Sequence, residues 1–92
     1  MTLIEAVQNL ETLDNESTIY AAEPWTANSV AVVAPEPDSG GLPVEAEKQG
    51  LKYFLEVFIA HDFLEDWKAN LDAEPTLQEK CARLIRYAIT DA

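Results

Sequence analysis

The sequence predicts a small single α+β domain: about three mainly antiparallel strands packed with three helices, in the order α-β-β-(α)-β-α-α. Three observations predict it. Three segments begin with a residue able to cap a helix, followed three places later by glutamate. Two short β-branched runs lie between the first and second of these segments, each bounded by turn residues. The stretch "YFLEVFIAHDFLEDW", residues 53–67, holds five of the eight aromatic residues and the single histidine, His61. Ninety-two residues suit one domain over 1–92, and a hydrophobic fraction of 48% is that of a globular chain.

The elements follow in order. Thr2 and Glu5 form the first capping pair, and Leu3, Val7, Leu10 and Leu13 repeat at helical spacing. "STIYAA" (17–22) and "SVAVVA" (29–34) read as strands joined by "EPWTAN" (23–28). "APEPDSGGLP" (34–43), with three prolines and two glycines, reads as a mobile loop. Residues 44–49 form a short helix stopped by Gly50. Lys52 to Ala60 is apolar on both faces, which suits a central strand covered on both sides. A continuous helix from Leu51 is the alternative, but it would set Asp62 and Asp66 on the face of Leu51, Phe54, Leu55 and Phe58. The next helix is therefore expected to begin at the Asp62–Glu65 capping pair and run to residue 71. Thr76 and Glu79, after Pro75, open the last helix, with its stripe of Leu77, Cys81, Leu84, Ile85, Ala88 and Ile89.

The net charge of −11 narrows the partners. It argues against nucleic acid, whose phosphates call for clustered Lys and Arg, and against anionic membranes. No apolar run reaches the length of a transmembrane helix, and residues 1–13 lack the basic residues of a targeting signal. A single cysteine suits the reducing cytoplasm. The charge is also uneven. Residues 1–47 hold nine acids and no Lys or Arg, while 48–92 hold eight acids and all six bases, so the halves carry −9 and −2. Such asymmetry points to a basic partner, or to the two halves meeting.

Chemistry-bearing residues are few. His61 and Glu65 have the i, i+4 spacing of a helical metal pair, but two ligands are too few for a stable site, and no metal or cofactor is expected. Glu56 stands between Phe54 and Phe58; a covered strand face would desolvate its carboxylate as in a tuned catalytic acid, whereas at a sheet edge it would meet water or Lys52. Cys81 falls on an apolar stripe and reads as core. Lys80, Arg83 and Arg86 form a basic ridge that is either solvated or a contact for a second copy. Trp25, with Tyr20 upstream, either packs over the core edge or anchors an interface.

"YFLEVFIAHDFLEDW" and "IYAAEPWT" resemble signatures of the short, acidic, stand-alone bacterial proteins that make up uncharacterised families. The resemblance implies no activity and transfers no functional residue. Some small acidic bacterial proteins of this build are toxin-neutralising immunity proteins, an analogy of size and charge. The sequence thus favours a non-enzymatic protein-binding module, of immunity or adaptor type, that meets a basic protein partner. Trp25, Tyr20, Glu23, Asp14, Glu16, Glu36 and Asp38, with Glu11, are the candidate contacts. The alternative is a homodimer held by Lys80, Arg83 and Arg86. A small enzyme or ligand binder around Glu56 and His61 is the third reading.

Overall fold

The structure, a computed structural model, describes residues 1–90. Helix α1 spans Leu3–Gln8 and runs into a 3₁₀ turn over Leu10–Thr12. Strands β1 (Thr18–Ala21) and β2 (Ala31–Ala34) follow, then α2 (Val44–Lys48), β3 (Lys52–Glu56), α3 (Val57–Ala69) and α4 (Leu77–Thr90). The sheet is antiparallel in the order β2-β1-β3. This is the α+β domain that the sequence predicts, with the short α2 included.

The first helix ends up capped as its sequence requires. The Thr2 N–H donates to Glu5 Oε1 at 2.7 Å, and the Glu5 N–H donates back to Thr2 Oγ1 at 3.4 Å. The N–H groups of Leu3 and Ile4, which no helical turn can satisfy, donate to the carbonyls of Ser29 and Ala27 at 2.8 and 3.0 Å. Those bonds seat α1 against the loop that leads into β2. Thr76 and Glu79 cap α4 in the same reciprocal way, at 2.8 and 3.1 Å. After α2, Gly50 takes φ +69°. Its N–H donates to Glu47 O and that of Leu51 to Ala46 O, the paired bonds of a Schellman turn, with Leu51 packed near Ala46.

One face of the sheet carries the main core. Ile19, Ala21, Ala31, Phe54 and Leu55 meet Leu3, Val7 and Leu10, then Val57, Ala60 and Leu64 of α3, and Cys81, Leu84 and Ala88 of α4. Cys81 is buried there, and burial pushes its thiol pKa up. The other face holds a smaller cluster of Tyr20, Ala46 and Leu51, with Val32 and Leu42 at its margin.

The stretch 52–66 differs from expectation in two ways. β3 is an edge strand, and β1, buried along its whole length, is the central one. The apolar density of β3 has another cause. Its register with β1 shifts between Ile19 and Tyr20, which pair with Leu55 and Tyr53 and leave Phe54 extra. Phe54 and Leu55 can then both enter the core, each 1% exposed. The second difference is that the strand stops at Glu56 and not at Ala60. Val57 begins α3, its N–H donating to Ser17 O at 2.9 Å, so Asp62 lies within the helix and caps nothing. The difference arises at Phe58, an apolar residue that does not join the core. Phe58 is 47% exposed and shares a solvent-facing row with Asp62 and Asp66, while Val57, Ala60 and Leu64 turn inward.

The bulge makes a sharp prediction. Phe54→Ala and Leu55→Ala should each cost about 3–4 kcal/mol in urea denaturation, and Tyr53→Ala less than about 1. A regularly alternating strand would instead spare one of the adjacent pair. The caps predict the acid limb. The backbone and side-chain bonds from Thr2 and Thr76 hold Glu5 and Glu79 below their ordinary pKa of 4.5. Their contribution is complete above that value and is lost as pH falls through the lowered one. Thermal melting of a Thr2→Ala/Thr76→Ala variant should therefore fall less steeply below pH 4.5 than that of the parent.

Candidate functional site

The end of β3 gathers acids and exposed aromatic rings. Thr18 pairs across the sheet with Ala34 on one side and Glu56 on the other. Glu36, two residues past β2, accepts a hydrogen bond from Thr18 Oγ1 at 3.3 Å. Glu16 and Asn15, from the turn before β1, join Glu56 and Phe58 around an open hollow of about 370 Å³. The loop that carries Glu16 is itself fixed, since the Glu16 N–H donates to Asp14 Oδ1 at 2.9 Å. Tyr53, 41% exposed, completes the patch. Its phenol pKa is raised by burial first and then by the Glu56 and Glu36 carboxylates, so both acids act on this ring. Among the described residues no Lys or Arg lines the hollow.

Tyr20 lies beneath this patch. Its ring is 1% exposed, and its hydroxyl is buried without a hydrogen-bond partner among the described residues. Burial first, then Glu36 and Glu56, raise its pKa, while the neighbouring Thr18 side chain, outside hydrogen-bond geometry, acts the other way. Tyr20 is therefore a core residue and not the surface anchor that the sequence suggests. Trp25 is likewise mainly structural. It donates from Nε1 to Ala21 O at 3.1 Å and stands edge-on to Phe54, with ring centroids 4.9 Å apart. Of the remaining acids, Glu16 and Glu36 join the patch. Asp14 braces it, while Glu23 and Asp38 sit exposed in separate loops. Tyr53 and Phe58 are exposed rings that the sequence does not single out, because both read as strand interior.

A second cleft, of about 230 Å³, opens between the 3₁₀ turn and α3. Glu11, His61 and Glu65 line it, and each offers a ligand atom within 4.8 Å of the others. His61 Nε2 lies 3.8 Å from Glu65 Oε1, and Nδ1 lies 3.8 Å from Asp62 Oδ1. Lys68 Nζ is 3.8 Å from Glu65 and 3.6 Å from Glu74; Lys80 Nζ is 3.3 Å from Glu74. The hydrogen bond from Lys80, with Lys68 beside it, holds Glu74 below the ordinary carboxylate range. Glu56 and His61 line different hollows, so the geometry does not assemble them into one catalytic pair.

The basic ridge of α4 is largely engaged within the chain. Lys80 faces Glu74, and the Arg83 guanidinium lies 4.9 Å from the centroid of Phe63, which stacks on Tyr87. Arg86 is exposed. No helix is long and apolar enough to cross a membrane among the described residues. No family model matches the chain, and no significant match is found among curated proteins or solved structures.

The unpartnered hydroxyl predicts the effect of its removal. A buried polar group without a partner costs about 1–3 kcal/mol, so Tyr20→Phe should leave stability unchanged or raise it by about 1 kcal/mol in chemical denaturation. A loss of that size would mean that the hydroxyl is bonded.

Proposed function

We propose that this protein is a non-enzymatic binding module that receives a basic protein on the patch at the end of β3. The observation that carries the reading is the pairing of exposed Tyr53 and Phe58 with Glu16, Glu36 and Glu56, and no base in the hollow that Phe58 lines. Aromatic rings supply rigid apolar area at an interface, and the carboxylates select and steer a cationic partner. The net charge of −11 adds long-range attraction toward the same partner. An inhibitor that occludes a basic toxin and an adaptor on a basic scaffold are two forms of this reading, with the same surface chemistry. A cytoplasmic setting fits both. Weighing against self-assembly through α4 is that Lys80 and Arg83 already have partners within the chain.

The test is a titration of the isotope-labelled protein with a short arginine-rich peptide, followed by NMR. Amide shifts should concentrate at Glu16, Glu36, Tyr53, Glu56 and Phe58, and fade between 0.05 and about 0.5 M salt as the Debye length shrinks. Glu36→Lys/Glu56→Lys should weaken binding at least about tenfold. Shifts spread equally over Glu45 and Glu47 of α2 would show attraction to charge alone and overturn the patch.

A further inference from the structure

We propose that Glu11, His61 and Glu65 form a binding site for a divalent transition-metal ion that ties the 3₁₀ turn to α3. The sequence offers only His61 and Glu65, and two ligands are too few. The fold adds a third by bringing Glu11 across from an element fifty positions earlier, with ligand atoms mutually within 4.8 Å. Zinc bonds of about 2.0–2.2 Å set tetrahedral ligand atoms roughly 3.4 Å apart. Glu11 and Glu65 are exposed, which leaves their side chains free to rotate across the remaining gap.

The surroundings suit an ion. With Nε2 turned toward Glu65, the other ring nitrogen of His61 has the Asp62 carboxylate beside it at 3.8 Å. Rotation of the exposed Asp62 side chain would close that distance to a hydrogen bond and give the carboxylate–imidazole–metal order in which an outer acid orients the ring. Lys68, which an arriving cation would displace from Glu65, keeps a carboxylate partner in Glu74 at 3.6 Å. One imidazole with two carboxylates favours zinc or its neighbours over calcium or magnesium, which take oxygen ligands. The cleft of about 230 Å³ leaves the fourth position open to water or a small ligand.

Zinc chloride is the probe, titrated calorimetrically into the full chain carrying no polyhistidine tag and stripped with chelator. One ion per chain is expected, with a rise in melting temperature and a shift of the His61 ring signals, and without competition from excess magnesium. Glu11→Gln and His61→Asn should each weaken binding at least tenfold. Asp66→Asn, an exposed acid on α3 outside the cluster, should leave it unchanged. Circular dichroism checks that each variant is folded. Absence of saturable binding, or full binding in either Glu11→Gln or His61→Asn, would overturn the site. Equal weakening by Asp66→Asn would reduce it to diffuse attraction and overturn it as well.

Discussion

The junction at which β3 becomes α3 is the constraint on which the rest of the molecule depends. No loop separates Glu56 from Val57. The chain must leave the sheet edge and enter a helix in one step, and the bond from Val57 N–H to Ser17 O fixes that step to the turn before β1. The bulge upstream sets the rotation with which the strand arrives. Together they decide that Val57, Ala60 and Leu64 face the core, which leaves Phe58 outside and His61 on the flank toward Glu11. Both candidate surfaces therefore follow from one local geometry. A junction one residue later would turn α3 by about 100° and take both apart.

The two surfaces also explain the uneven charge. Among the described residues every ion pair falls between His61 and Lys80, within the second half of the chain. Three of the six bases of that half, Lys68, Lys80 and Arg83, face Glu65, Glu74 and Phe63. They do not neutralise the acids contributed by residues 1–47. Glu16 and Glu36 meet Glu56, another acid, and Glu11 meets Glu65 and the only histidine. Folding concentrates the excess negative charge where cations can reach it.

Much of the fold was legible because its signals are local. The Thr2–Glu5 and Thr76–Glu79 boxes form because cap and glutamate lie three residues apart, a relation that the sequence displays directly. Gly50 ends α2 for an equally local reason, its positive φ. The Asp62–Glu65 pair has the same pattern and does not cap, because the burial of Val57 and Ala60 starts the helix earlier. The bulge was not legible, since a register shift belongs to two strands, and period-two reading of one strand takes it for burial on both sides. The candidate site was hidden for the same reason. Glu36 reaches Thr18 and Glu11 reaches His61 only through tertiary packing, and the same packing buries Tyr20 of β1 and sets Trp25 against the core edge, the first of the two readings that its turn allows.

The bulge has a further consequence at the border of the sheet. Met1 and Thr2 run beside β2, where Ala31 donates to Met1 O and Thr2 bridges Val30. β3 lies at the other side and pairs only with β1 among the described strands. A flat apolar strand in that position would template growth by neighbouring molecules into fibrils. This one is five residues long, starts at a lysine and is bent by its extra residue. The distortion that lets Phe54 and Leu55 both enter the core also makes this edge a poor template for backbone pairing with a neighbour.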